Sequence, residues 1–281
     1  FVSFHAKGAP SYVDGHVRMG IAAQLRTVDE NFGIVSSFPQ FKNTPIVIGE
    51  SDPEGCAACQ GPQLGYRNGT MYSSYTAASF ARKLDLADKH GVNFEGALTW
   101  AFTFEDQPYF AGFRQLASNG IDLPVLNVFR MFSQMGGQRI AAESDGAVPL
   151  DAILKTGVRE KPDVSALASR DGKRLAVMVW HYHDDDVAGP NARIRLKLSG
   201  LTNGSARVTE YRIDETHSNS YTVWKRMGSP QSPTAEQIRT LEKAGGLEKM
   251  PSRPRLKVQD GQAEIVTNLP RQAVSLFVIE A

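Results

Sequence analysis

Residues 44–51, TPIVIGES, form an unbroken run of β-branched apolar residues that opens at Pro45 and closes on a carboxylate, Glu50. A strand without period-two alternation needs apolar cover on both faces, which points to the interior of a parallel sheet flanked by helices. The neighbouring segments supply that sheet. FVSFH (1–5) reads as a short strand, and residues 20–37 place Ile21, Leu25, Val28, Phe32 and Val35 at helical spacing. Residues 70–91 read as a second amphipathic helix, stopped by Gly91 after His90. FEGALTWAFTF (94–104) reads as the next strand and PVLNVFRMFSQMGG (124–137) as a helix ended by a glycine pair. This β-α-β-α-β-α order implies right-handed crossovers and a parallel sheet. Three such units cannot close a barrel and make a poor sheet alone. The expectation is therefore the last three units of an eight-unit barrel, with five lying upstream. The alternative, a small doubly wound sheet, lacks a glycine-rich phosphate fingerprint.

From about residue 145 the pattern changes. RLAVMVWHYH (174–183), ARIRLKLSGL (192–201), SARVTEYRID (205–214), PRLKVQDG (254–261), AEIVTNL (263–269) and AVSLFVIE (273–280) read as strands separated by turn residues. Only YTVWKRMG and PTAEQIRTLEKAGG interrupt them with helical spacing. The fold class expected is α/β plus all-β. Residues 1–142 would carry the last βα units of a barrel, and residues 143–281 a β-sandwich accessory domain.

Composition narrows the function classes. With a formal net charge of +1 and 22% charged residues, the chain has neither a basic field for nucleic acid nor an acidic tail. No apolar run approaches the ~20 residues that span a bilayer. A neutral polymer such as a polysaccharide fits this balance, and no nucleic-acid or membrane partner is expected. The chain starts at Phe1 inside an apolar alternation with no initiator Met, so it reads as the later part of a longer protein whose compartment is not encoded here. The two cysteines, Cys56 and Cys59, have neither a thioredoxin-like setting nor two further zinc ligands, and read as small loop residues. A labile disulfide or a chance metal site is the lesser alternative. The run HYHDDD (181–186) invites a metal reading, but its Asp residues suit a solvated loop, and no metal or cofactor is expected. Asn68-Gly69-Thr70 fits a glycosylation sequon.

The chemistry-bearing residues gather at the strand ends. Glu50 follows Ile46–Gly49 at the C-terminal end of a buried strand, the end that carries active sites in βα barrels. Asp52 and Glu54 share its loop. His5 ends the preceding strand, and Trp100 lies in the following one with Phe102 and Phe104 on the same period-two face. An indole stacks on the apolar C–H face of a pyranose, while imidazole and carboxylates bind its hydroxyls. Glu105 and Asp106, just after that strand, are placed for the same task or form a solvated loop face. Sugar-bond cleavage needs two carboxylates, an acid for the leaving oxygen and a nucleophile or base. Glu50 suits the nucleophile, and no second carboxylate in the chain suits the acid.

These residues resemble glycoside hydrolase family 39, which contains bacterial β-xylosidases and α-L-iduronidase. FVSFHAKG is similar to the sixth barrel strand of that family, PIVIGES to the seventh and FEGALTWAF to the eighth. NGIDLPVLNVFRMFSQMGG is similar to the final barrel helix, and YRIDETHSNSYTVWKRMGSPQSPTAEQ resembles a long signature of the second domain. The resemblance implies a (β/α)₈ barrel with an attached β-sandwich and retention by double displacement. It implies Glu50 as nucleophile, His5 as a sugar-binding histidine and Trp100 as a substrate-stacking indole. Glu105 or Asp106 would match an acidic residue that binds sugar hydroxyls. Lys7 departs from the tyrosine found in many of the xylosidases, and is expected either to pair with Glu50 and hold it ionised or to point into solvent. The acid/base Glu of the family, in an Asn-Glu-Pro setting on strand four, has no counterpart in this sequence.

The expected function is a retaining exo-glycosidase, a β-xylosidase acting on xylo-oligosaccharide ends, with its acid/base in the upstream half of the same barrel. The alternatives are an iduronidase-like enzyme, for which Lys7 is the candidate cationic group, and a non-catalytic carbohydrate-binding or structural piece. A homo-oligomer is compatible with either enzyme reading. His217–Tyr221, beside a helix carrying Trp224, are expected to join the two halves.

Overall fold

The helices form where apolar spacing places them. α1 (Ile21–Ser36) buries Ile21, Leu25, Val28, Phe32 and Val35, the stripe read from the sequence. α2 (Thr70–His90) stops where Gly91 takes φ 60°, a left-handed cap that costs glycine nothing. α3 (Pro124–Ser133) begins with proline at a position where the N–H would have no helical partner. The structure is a computed structural model that describes residues 1–280. Three parallel strands, β1 (Val2–His5), β2 (Ile46–Glu50) and β3 (Phe94–Ala97), pair in the order β1-β2-β3. One face packs on the helices through Phe4, Phe32 and Phe94, with ring centroids 5.9 and 5.6 Å apart. The other face, including Ser3, His5 and Glu95, is exposed. Among the described residues these strands form no closed barrel, and β1 and β3 each keep a free edge.

The strand expected over 94–104 is corrected to Phe94–Ala97. Leu98 still exchanges backbone bonds with Ile48 and Ser51, but Trp100 turns its N–H to the Asp52 carboxylate at 3.0 Å. A side-chain acceptor thus takes over from the ladder, and Trp100, Phe102 and Phe104 lie in the loop that follows.

In the second half, β4 (Gln138–Ile140), α4 (Leu150–Thr156), β5 (Asp163–Asp171), β6 (Arg174–Tyr182), β7 (Ala192–Leu198) and β8 (Gly204–Ile213) lead to α5 (Ser220–Arg226) and α6 (Ala235–Gly245). β9 (Glu248–Lys249), β10 (Leu256–Val258), β11 (Ala263–Leu269) and β12 (Val274–Glu280) complete the chain. Six strands form an antiparallel sheet in the order β9-β8-β12-β6-β5-β4, and β10 pairs with β8. The β7–β11 ribbon covers one face of it, burying Leu198, Ile265 and Leu269 against Val177, Val179 and Phe277. On the other face, Met178, Trp180 and Leu276 belong to the same core as α1, α2 and α3. β4 and β5 escape sequence reading because β5 contains Asp163, Ser165, Ser169 and Asp171, weak strand formers. Nine consecutive pairings with β6 make it a strand.

The expected solvated loop at HYHDDD is also corrected. His181, His183 and Asp184 are 1%, 6% and 1% exposed. Their polar atoms are used internally: His181 meets the Leu269 carbonyl and His183 the Arg159 carbonyl, both at 2.9 Å. Asp184 accepts the Tyr182 hydroxyl at 2.5 Å and the Val158 N–H at 2.9 Å, and burial pushes its carboxyl up to about 7. The run continues into a clamp on the first half, where Arg18 pairs with Asp185 at 2.5 Å and Met19 N–H donates to the Asp184 carbonyl. His217–Tyr221 also touch the first half: Ser220 Oγ donates to the Asp122 carbonyl at 2.6 Å, and Asn127 Nδ2 to the Ser218 carbonyl at 3.3 Å. Asn68 of the sequon is buried and donates to the Phe110 carbonyl.

Candidate active site

A register shift positions the site. Val2, Ser3 and Phe4 pair with Ile46, Val47 and Ile48, but His5 pairs with Glu50, so the ladder skips Gly49. This irregularity brings the imidazole level with the carboxylate. A Cβ at Gly49 would meet Ser3 Oγ at 3.0 Å and the His5 ring at 3.4 Å, so glycine lets the ring lie against the strand. Beyond the strands the chains stay zipped, with Ala6 N–H donating to the Glu50 carbonyl and Gly8 N–H to that of Asp52. At Gly8 a Cβ would stand 2.4 Å from the Pro53 carbonyl oxygen.

Lys7 lies between two acids. Its Nζ is 2.5 Å from Glu50 Oε2 and 2.6 Å from Asp52 Oδ2, and His5 Nδ1 is 3.6 Å from Glu50 Oε1. Of the two expectations for Lys7, the structure realises the pairing. Asp52 is wholly buried and also accepts Thr99 Oγ1 at 2.7 Å and Trp100 N–H at 3.0 Å, with Arg114 Nη2 at 3.6 Å. Arg114 passes the alternation on to Glu54 at 2.6 Å, and Glu54 meets Arg67 at 2.8 Å. Glu50, Lys7, Asp52, Arg114, Glu54 and Arg67 therefore form a chain of alternating charge, three acids against three bases. Buried charges are tolerated on that condition of mutual pairing.

Arg67 ends the chain inside a cage of carbonyls from Cys56, Ala57, Cys59 and Gly112. Cys56 and Cys59 are joined in a disulfide, which corrects the reading of two simple loop residues. Close in sequence, they close a small loop whose carbonyls converge on the guanidinium. Tyr72 borders the network through Thr99 at 3.5 Å, and burial together with the charge of Asp52 pushes its phenol up. Among the described residues no group of three or more His, Cys, Asp or Glu could hold a metal ion.

Trp100 is half exposed and stacks on Phe102, with centroids 5.4 Å apart. Its backbone is pinned to the network, N–H to Asp52 and carbonyl to Arg114 Nε at 3.0 Å. Glu105 and Asp106 are exposed at the turn of the same loop, where Asp106 takes φ 50°. Among the described residues no hydrogen bond or ion pair joins either to Glu50. Sequence reasoning missed Arg67 and Arg114. The one available signal was the pair of acids, Asp52 and Glu54, two residues apart in a loop with no cation nearby in sequence.

The model of glycosyl hydrolases family 39 matches residues 1–259. The chain belongs to that family. Among curated proteins, alpha-L-iduronidase of Mus musculus is 27% identical over 267 residues, covering 86% of this chain and 39% of that protein. The Homo sapiens alpha-L-iduronidase is 26% identical over 270 residues, covering 87% of this chain and 38% of that one. The family 39 chain thus spans about two fifths of the length of these relatives. Among solved structures, a monomeric beta-xylosidase from Caulobacter crescentus CB15 superposes with TM-score 0.70 at 19% identity, covering 99% of this chain and 55% of that one. A bacterial orthologue of human α-L-iduronidase superposes with TM-score 0.77 at 17% identity, covering 99% and 48%. At these identities the likeness is one of fold, and both sugar specificities occur in the family 39 neighbourhood of this chain.

Proposed function

We propose that this family 39 chain carries the nucleophile half of a retaining exo-glycosidase, a β-xylosidase that releases xylose from xylo-oligosaccharide ends, and that Glu50 is the nucleophile. The observation that supports this is the unequal engagement of the three carboxylates. Asp52 is fully buried between Lys7, Thr99 and Trp100, and Glu54 is held between two guanidiniums. Glu50, at the strand end, has one cation on one oxygen and turns the other toward His5. In the proposed mechanism Glu50 attacks the anomeric carbon, forming a glycosyl ester as the C–O bond to the leaving oxygen breaks. That oxygen takes a proton from a carboxylic acid. Water then attacks the same anomeric carbon, breaking its bond to Glu50 and giving its proton to the upstream carboxylate, now a base, so that two inversions retain the configuration. Asp52, fully engaged, and Glu54, buried with both guanidiniums on its Oε1, are not placed to serve as that acid. It is assigned to the upstream half of a (β/α)₈ barrel, about 5–5.5 Å from Glu50 as retention requires. In this reading residues 1–142 complete the barrel and residues 143–281 form the accessory β-sandwich.

The charge balance of the network favours a neutral sugar, because every cation in it already faces a carboxylate. An iduronidase-like reading is favoured by one observation, the curated relatives, and would draw on Lys7 for a uronate carboxylate. Side-by-side rates on aryl xyloside and aryl uronide separate the two. The nucleophile is tested by Glu50→Ala in the chain joined to its upstream half. Turnover of an activated aryl xyloside should collapse, and azide should restore it, giving a glycosyl azide of inverted configuration. Undiminished turnover sinks the assignment. Xylose binding with no turnover by the joined protein would favour a non-catalytic carbohydrate-binding role.

A further inference from the structure

Four aromatic rings run along the loop after β3. Trp100 stacks on Phe102 at 5.4 Å and 26°, Phe102 meets Phe104 at 6.0 Å, and Phe104 stacks on Phe113 at 4.4 Å and 20°. Trp100 and Phe102 are 50% and 40% exposed. Phe104 and Phe113 lie partly buried beside them, and aromatic surface exposed in this way marks a binding surface. The backbone beneath it is rigidly held: Trp100 by Asp52 and Arg114, Phe102 N–H by the Arg114 carbonyl at 3.2 Å, and Arg114 N–H by the Ala57 carbonyl at 3.0 Å. The rings are thus presented by the same buried charges that hold Lys7 and, through it, Glu50. A preorganised flat apolar surface loses little entropy when a ligand stacks on it.

An exo-acting enzyme places one terminal sugar at its nucleophile, and a single ring suffices to stack on that sugar. A row of four extends past it. We propose that Phe102, Phe104 and Phe113 form a stacking platform for the sugars beyond the scissile bond, so that the substrate is an oligosaccharide with at least two units in its leaving group. The inference rests on the assignment of Glu50 as nucleophile. Flat pyranoses with equatorial substituents present apolar C–H faces to such a platform and gain dispersion contact on it. The exposed carboxylates of Glu105 and Asp106, in the same loop, are available to accept from their hydroxyls.

The test compares Phe102→Ala, Phe104→Ala and Phe102→Tyr with the parent in the chain joined to its upstream half, their folding checked by thermal unfolding. The ratio of kcat/KM on xylotetraose to that on xylobiose should fall about tenfold in each alanine variant, the equivalent of about 1.4 kcal/mol. It should be retained in Phe102→Tyr, which keeps the ring. An unchanged ratio in both alanine variants overturns the platform. Xylohexaose binding to the Glu50→Ala protein, by calorimetry, is the second readout. If the parent turns over no glycoside, the nucleophile reading fails. The platform still stands or falls on whether the alanine variants weaken xylohexaose binding.

Discussion

Replacing Lys7 with Met probes the centre of the network while keeping the length and apolar character of the stem. The substitution strands two carboxylates. Asp52 retains Thr99, the Trp100 N–H and Arg114, whereas Glu50 keeps only the His5 ring at 3.6 Å. Removing one partner of a buried ion pair costs about 3–5 kcal/mol. Lys7 is 20% exposed at its side chain, so water recovers part of that, and about 2–3 kcal/mol is expected. For a chain of this size that lowers the unfolding midpoint by about 4–12 °C. In the chain joined to its upstream half, and with Glu50 as the proposed nucleophile, turnover should fall further than stability, by ~100-fold, because misplacing a reacting group by about 1 Å has that effect. The decisive measurement is a double-mutant cycle with Asp52→Asn. Neutralising Asp52 in the Lys7→Met background should restore about 1–2 kcal/mol, so that the two losses are less than additive. Strict additivity, with Lys7→Met unfolding within ~0.5 kcal/mol of the parent and turning over normally, refutes the clamp.

Three further outcomes follow from other buried groups. Lys83 is 2% exposed, bonded among the described residues only to Ser79 Oγ at 3.2 Å beside a cavity of about 640 Å³, and burial pushes its amine down to about 7. A lysine depressed in the fold burdens stability below pH 7 and not above about pH 10.5, so Lys83→Met should raise the midpoint at pH 7 by several degrees, a gain that vanishes toward pH 10.5. Asp184 has the opposite sign: its carboxyl rises from 3.8 to about 7, so its contribution is present below pH 3.8 and lost as pH climbs through 7. Asp184→Asn should therefore stabilise at pH 8 and not at pH 4, and equal effects at both would disprove the buried proton. Converting Cys56 and Cys59 together to serine should cost about 2 kcal/mol, the value for so short a loop, read as a fall in unfolding midpoint matched by adding reductant to the parent.

The fold was legible where one period dominates. The α1 stripe and the alternation of β7 and β11 each satisfy a single periodicity over a whole element, and the apolar run of β2 marked a strand, though the described residues cover only one of its faces. It was illegible where a tertiary partner decides. β5 is a strand because β6 pairs with all nine of its positions, and β3 ends early because Asp52 captures the Trp100 amide. The Asp run of HYHDDD read as a solvated loop because its residue types do not show that Tyr182 and Val158 engage Asp184, or that Arg18 engages Asp185 across the two halves.

The site divides in the same way. Strand-end position marked Glu50 and His5, because the C-terminal ends of adjacent parallel strands converge wherever the strands pair, whereas Trp100 was read inside a strand that ends at Ala97 and reaches the rim on the following loop. Which neighbour each would meet depended on a one-residue slip at Gly49, and side-chain period cannot show such a slip. Arg67 and Arg114 were hidden for a different reason: each neutralises an acid far away in sequence, at separations of 13 and 60 residues from Glu54. Yet the need for them follows from physics once burial is known. Two acids two residues apart, Asp52 and Glu54, are tolerated in the interior only if cations come to them, and Lys7 alone reaches just one. The arginines then act on a carboxylate they never touch. Arg114 fixes the Trp100 backbone and Asp52, Asp52 fixes Lys7, and Lys7 fixes the oxygen of Glu50 that is not turned toward His5. A neutralising change at Arg114 should thus be felt at Glu50 through two intermediate charges, and a change at the exposed Glu105 should not.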